Sequence, residues 1–196
     1  GMIRSTDGGE TWESVASFPL NSTKNENGIN IITFDGSKSA DGKTTRIYAG
    51  VSESKTDNIY YSDDAGGTWS VLPGIDEKAQ KFMPQRFDLD SKGNLYVSYG
   101  NHEGPWNSTQ GTLYKFNADA GTSEEIQVVN WTVGDIVIDP TNDDNMVLVT
   151  SEVWTEQPNG AFGDKFFRTT DGGETWENLD GKYTMSTNGM DWIYNA

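Results

Sequence analysis

Short stretches rich in β-branched and aromatic residues alternate along the whole chain with clusters of Gly, Asn, Asp and Ser. No window shows the three-to-four-residue spacing of an amphipathic helix. Punctuated runs of this kind predict strands joined by tight turns. The predicted strands come in fours: 29–34, 46–51, 58–62 and 68–72; then 82–89, 94–99, 112–116 and 125–129; then 135–138, 146–150, 165–169 and 175–179. The first strand of each group, as over 133–138, is the more continuously apolar and is expected to pack on both faces.

The chain also repeats itself. Ser5-Thr6-Asp7-Gly8-Gly9-Glu10-Thr11-Trp12 returns as Ser62-Asp63-Asp64-Ala65-Gly66-Gly67-Thr68-Trp69 and again as Thr169-Thr170-Asp171-Gly172-Gly173-Glu174-Thr175-Trp176. Consecutive tryptophans of these copies are 57 and 107 residues apart, so a copy without the motif is expected midway. Leu113-Tyr114-Lys115-Phe116, followed by the turn-like Asn117-Ala118-Asp119-Ala120-Gly121, supplies it. Four strands repeating every fifty-odd residues predict an all-β β-propeller, whose blades are four-stranded antiparallel meanders that hide their edges by radial repetition. The expected layout is one partial propeller domain of about three and a half blades: a half blade over 1–20, blades over 28–74, 82–130 and 133–180, and the start of another over 190–196.

The motif itself has a mechanical reading. Glycines supply the positive φ that a tight hairpin needs, and the Asp carboxylate accepts hydrogen bonds from turn amides. Trp12, Trp69 and Trp176 are expected to fill the wedge beside each hairpin as core residues. Carboxylates repeated blade after blade cannot converge on one centre, so Asp7, Asp64 and Asp171 read as structural rather than catalytic or calcium-binding.

Charge and composition narrow the chemistry. With 30 Asp and Glu against 14 Lys and Arg, the net charge of −16 repels phosphate backbones and anionic membrane surfaces, so neither nucleic acid nor membrane is an expected partner. No cysteine is present, which removes thiol nucleophiles, disulfides and thiolate metal sites, and His102 is the single histidine, so no metal or cofactor is expected. Seven tryptophans and a 12% aromatic share argue for a packed fold despite the charge. The opening Gly1-Met2-Ile3-Arg4 carries no charged segment followed by an apolar one, so no export signal is read there.

The repeated motif is the Asp-box, shared by sialidases, sortilin-type receptors, photosystem assembly factors and several glycoside hydrolases. The stretches between the boxes narrow the choice: Ile32-Thr33-Phe34-Asp35, Arg46-Ile47-Tyr48-Ala49-Gly50-Val51, Gly104-Pro105-Trp106-Asn107 with Gly111-Thr112-Leu113-Tyr114-Lys115, and Ile136-Val137-Ile138-Asp139-Pro140. In order and spacing they resemble the later blades of the first propeller in glycoside hydrolase family 74, the xyloglucanases. That resemblance implies two seven-bladed propellers with an open cleft, inverting cleavage of β-1,4-glucan by an Asp pair, and a secreted or cell-surface setting. The regions that carry the pair are matched by nothing here, so no catalytic residue is assigned. A sialidase would need an arginine triad, and Arg4, Arg46, Arg86 and Arg168 do not supply one, since Arg4 and Arg168 hold equivalent positions before boxes. A non-catalytic carbohydrate-binding propeller remains the rival.

In a propeller the box hairpins lie on one face, and the second-to-third-strand loops and blade-to-blade connections lie on the other. Trp106 and Trp154 fall in such loops and Trp131 in a connection, so they are expected to share a face with His102, Asn101, Phe162 and Tyr183. Indole faces stack on the C–H side of pyranose rings while Asn and acids take the hydroxyls. The resemblance also implies aromatics of a substrate groove at Trp106 and Trp154, with a β-glucan such as xyloglucan as partner. The alternative for each is that it pins its loop to the sheet. Acid–base candidates on that face are Glu103, Asp135, Glu152 and Asp164, though with 30 acids a pair at the ~6.5–9.5 Å of an inverting glycosidase arises by chance. Half a propeller leaves two open flanks. Two chains could close one ring as a homodimer, with 191–195 of one joining the 3–18 hairpin of the other, or the terminal strands could meet within one chain.

Overall fold

A computed structural model describes residues 1–19, 28–102, 109–126, 132–151, 165–179 and 182. A two-stranded hairpin opens it, β1 (Ile3–Arg4) with β2 (Glu13–Ser14). Three four-stranded antiparallel meanders follow. The first is β3 (Ile29–Phe34), β6 (Ile47–Val51), β7 (Ile59–Ser62) and β8 (Ser70–Val71), with a small hairpin of β4 (Ser39–Ala40) and β5 (Lys43–Thr44) between its first two strands. The second is β9 (Met83–Leu89), β10 (Leu95–Gly100), β11 (Gly111–Asn117) and β12 (Thr122–Ile126). The third is β13 (Thr132–Ile138), β14 (Met146–Ser151), β15 (Phe166–Thr169) and β16 (Glu177–Asn178). The described residues therefore form three blades and a half, and the strand expected over 190–196 lies outside them. A 3-10 turn, Ala79–Lys81, lies in the connection between the first two blades.

The core sits between blades rather than within them. Phe18 and Val15 of the half blade close on Ala49, Val51 and Tyr60 of the first blade. Tyr48, Ile59 and Leu72 of the first blade meet Leu95, Val97, Tyr99, Tyr114 and Phe116 of the second. Tyr96, Leu113 and Ile126 then meet Ile136, Ile138, Met146, Leu148 and Phe167 of the third. Close approach matters here: a Cβ on Gly50 would lie 2.9 Å from the Phe87 ring of the next blade. Only a glycine lets that ring lie on the central strand.

Three features differ from expectation. The most continuously buried strand is the second of the meander, with every residue of β10 buried, whereas β13 leaves Gly134 and Asp135 half-buried and Val137 exposed. The second strand has sheet neighbours on both edges and blades on both faces, but the first borders the axial space. Strand β12 spans Thr122–Ile126, three residues before its predicted start, because without a box the turn at 118–121 is shorter and the outer strand begins sooner. Trp12 is not core: it is 61% exposed. The later two box indoles pack on the unit before them, Trp69 edge-on to Phe18 at 5.1 Å and Trp176 against the cluster that holds Ile126, and no described blade precedes Trp12.

The flanks show the same dependence. Ile32 and Phe34 on β3 correspond in register to Phe87 and Leu89 and to Ile136 and Ile138, all of which pack on the blade before them. With only β1 and β2 ahead of it among the described residues, β3 leaves Ile32 and Phe34 exposed. At the far side Val137 and Val147, a cross-strand pair, are exposed and border a groove of about 370 Å³. Their counterparts in the second blade, Asp88 and Tyr96, are covered by the third.

One position in the boxes is out of keeping with its conformation. Gly8 and Gly172 adopt φ of 76° and 73°, and their equivalent Ala65 is held at 57°. A left-handed L-residue costs about 1–2 kcal/mol, and glycine gives part of that back as extra freedom in the unfolded chain. Ala65→Gly is expected to stabilise the protein by about 0.5–1 kcal/mol. A urea-denaturation midpoint that stays put or falls would contradict this.

Candidate functional site

The two ends of the blades do different things. At one end each box is a closed hydrogen-bonded unit. Asp64 Oδ1 accepts from Ser62 Oγ at 2.8 Å and from the Thr68 amide at 2.7 Å, while Oδ2 accepts from Thr68 Oγ1 at 2.8 Å. Asp7 with Ser5 and Thr11, and Asp171 with Thr169 and Thr175, repeat the pattern. The Thr68 amide with the Ser62 and Thr68 hydroxyls holds the Asp64 carboxyl at about 2, and the Thr169 and Thr175 hydroxyls hold Asp171 at about 2 as well. A carboxylate used this fully by its own hairpin has little left for a substrate.

Box indoles finish the hairpins. Trp12 and Trp176 donate Nε1–H to the carbonyls of Gly9 and Gly173, both at 3.1 Å. In the middle box the equivalent Gly66 carbonyl accepts from Ser17 Oγ at 2.8 Å instead, and Trp69 Nε1 is left without a partner. An unpaired buried N–H costs about 1–3 kcal/mol, comparable to what half of an indole's burial returns at ~25 cal/mol per Å². Packing against Phe18 therefore offsets the loss.

The other end gathers the necks of the long segments. Asn101 N–H donates to the Gln110 carbonyl at 2.9 Å, and its Oδ1 accepts from the amides of Thr109 and Gln110 at 2.9 and 3.1 Å. The same Gln110 carbonyl accepts Thr132 Oγ1 at 3.0 Å. Thr132 pairs with Ser151, and the Thr150 amide donates to the Lys165 carbonyl at 3.0 Å. So the chain enters and leaves 103–108, 127–131 and 152–164 at adjoining positions on neighbouring blades. Trp106, Trp131 and Trp154 belong to these segments and lie outside the described residues, as do Phe162, Tyr183, Glu103, Glu152 and Asp164.

Of the expected site residues that are described, Asn101 spends its carboxamide oxygen closing the loop neck, and His102 is exposed with its backbone carbonyl accepting Gln85 Nε2 at 2.9 Å. Asp135 is half-buried on β13. Burial pushes its carboxyl up, against the Ile136 amide and the charge of Arg86. No group of three or more metal-binding side chains occurs among the described residues.

A feature with no sequence signature lies at the start of each innermost strand. The register slips by one residue at Asn30, at Gln85 and at Gly134, an equivalent β-bulge in all three blades. Bulges re-aim side chains and are common beside functional sites. Here Asn30 Nδ2 donates to the Pro84 carbonyl of the next blade at 2.7 Å, and Gln85 reaches Met83 and His102.

The BNR/Asp-box repeat family matches residues 3–14, 60–71 and 167–178. A xyloglucanase of Acetivibrio thermocellus, Xgh74A, is 33% identical across 91% of this chain, which spans 22% of that protein. The solved structure of a Niastella koreensis GH74 enzyme superposes with a TM-score of 0.79 at 35% identity, covering 91% of this chain and 26% of the other. The GH74 xyloglucanase of Xanthomonas campestris follows with a TM-score of 0.77 at 28% identity over 92% of this chain and 27% of that one. The chain thus spans about a quarter of the length of the relatives it matches. With the repeats, the intervening strands and the fold in agreement, the chain belongs to glycoside hydrolase family 74, as a run of its Asp-box propeller blades.

Proposed function

We propose that this chain forms part of the xyloglucan-binding wall of a family 74 glycanase and does not itself carry the acid–base pair. The observation behind the reading is the convergence of the three necks at Gln110, Thr132, Ser151 and Lys165, because it starts all three tryptophan-bearing segments from one end of adjacent blades. On this reading the indoles of Trp106, Trp131 and Trp154 stack on pyranose rings, and His102 contributes to the same wall. The relatives' names supply the polymer: they are xyloglucanases. A glycan with hydroxyls and no charge suits a surface of net charge −16, which would repel an anionic sugar. Such a polymer cannot cross a membrane, so the protein works outside the cell.

The open flanks extend the proposal. Ile32 and Phe34 at one side, and Val137 and Val147 at the other, are apolar positions whose equivalents in the inner blades are buried. As a single partial propeller domain over 1–196, two copies can cover these surfaces by closing one ring.

Two measurements follow. Affinity electrophoresis in xyloglucan gels is expected to show retardation of the wild type, with Trp106→Ala and Trp154→Ala each weakening it by roughly three- to tenfold, the value of about 0.5–1.5 kcal/mol for one aromatic stacking contact. Unchanged retardation in both variants would remove the proposed wall. Light scattering at high micromolar concentration is expected to give twice the chain mass, and a monomer there would overturn ring closure by two copies.

A further inference from the structure

We infer that Asp119 is an ionic latch that joins the second blade to the first in place of the missing box indole, and that it makes this contact sensitive to salt. The second blade carries no box, and the 118–121 turn stands where the box hairpin would be. In the later two boxes the indole reaches back, Trp69 to Phe18 and Trp176 to the cluster of Ile126. Here a carboxylate reaches back instead. Asp119 Oδ1 lies 2.9 Å from Arg46 Nη2, and its Oδ2 accepts from Lys38 Nζ at 2.7 Å, both cations belonging to the first blade. Lys38 and Arg46 together hold the Asp119 carboxyl below the usual carboxylate range. Ser123 Oγ, on the strand after the turn, donates to the Gly74 carbonyl at 2.6 Å and fastens the same flank.

Comparison of the three blades shows that Arg46 is diverted to this contact. Asp35, Asp90 and Asp139 close the turn after each innermost strand, and their amides donate to the carbonyls of Arg46, Asn94 and Asn145 at 3.0, 3.1 and 3.0 Å. In the second and third blades the Asn side chain returns the contact, Asn94 Nδ2 to Asp90 Oδ2 at 2.7 Å and Asn145 Nδ2 to Asp139 Oδ2 at 3.4 Å. Arginine holds that position in the first blade and points elsewhere. Its Nε donates to Asp63 Oδ1 at 2.5 Å, and its guanidinium lies over the Tyr61 ring at 5.3 Å. Asp35 Oδ2 is left buried without a partner. Leaving that bond unmade is costly, and the pair across the blades offsets the loss. The Arg46 side chain is 7% exposed, whereas those of Lys38 and Asp119 are 41% and 57% exposed. Dissolved ions therefore reach the latch through its open half and weaken it.

The test is urea unfolding of the full chain at low and high salt. At low salt Asp119→Asn is expected to lower the folding equilibrium constant roughly three- to tenfold, between the worth of an exposed ion pair and that of a hydrogen bond to a charged group. Removing an acid from a chain of net charge −16 relieves repulsion, so the exposed control Asp41→Asn should leave stability unchanged or raise it. At about 1 M sodium chloride the gap between wild type and Asp119→Asn should narrow. Arg46→Asn combined with Lys38→Met removes both cations and places at 46 the residue that the other two blades carry there. In that background Asp119→Asn should be silent. Lys38→Met alone serves if the pair does not fold, and it should shrink the Asp119→Asn penalty. A silent Asp119→Asn in the wild type, or a penalty of the same size in either background, would overturn the latch. A gap that stays the same at both salt concentrations would overturn its sensitivity to salt.

Discussion

One small carboxylate lock governs this architecture. In each box an Asp accepts a hydroxyl two residues before it and both the amide and hydroxyl of the Thr four residues after it, so the turn between the third and fourth strands has one geometry. That geometry throws the following indole onto the preceding blade, where Trp69 meets Phe18 and Trp176 joins the Ile126 cluster. The blades have little core of their own, so the contact between blades is the fold. Where a box is present its indole adds to that contact, and the second blade meets the first without one.

Fastening one end of the blades leaves the other end free to vary. The box end is dense with short-range bonds, including the Arg46 guanidinium held between Asp63 and Asp119 at 2.5 and 2.9 Å and lying over the Tyr61 ring at 5.3 Å. At the opposite end long segments leave the sheet at necks stitched by Asn101, Gln110 and Thr132. A rigid scaffold with loops of independent sequence at one end is how one fold serves many chemistries.

Much of the fold was legible because its causes are local. Gly and Asp at fixed offsets announce the hairpins, and runs such as Leu95 to Tyr99 announce strands. What was not legible depends on neighbours. Whether Trp12 is buried turns on a preceding blade, which the Trp12 motif cannot encode since 6–12 match 170–176 residue for residue. The exposure of Ile32 and Phe34 has the same origin. The bulges at Asn30, Gln85 and Gly134 are properties of register between strands, and three residues as unlike as these share no pattern a single chain could reveal. At the site, the grouping of Trp106, Trp131 and Trp154 by loop type is an expectation from the strand count that falls outside the described residues, whereas the hydrogen bond from Gln85 to the His102 carbonyl required coordinates. Asn101 looked like a sugar ligand by residue type, and its amide oxygen is spent on its own loop.

The lock makes a direct claim about proton affinity. Asp64 and Asp171 titrate at about 2 in the folded protein against about 3.9 for a free Asp, so their contribution to stability is complete above pH 4 and is lost as the pH falls toward 2. Carboxyl-carbon NMR shifts followed residue by residue through that range test it. The account requires both side chains to stay ionised through pH 4 and to protonate near 2. Midpoints at the ordinary aspartate value would mean that the boxes do not hold their carboxylates as described, and the account of how the blades are set against one another would fail with them.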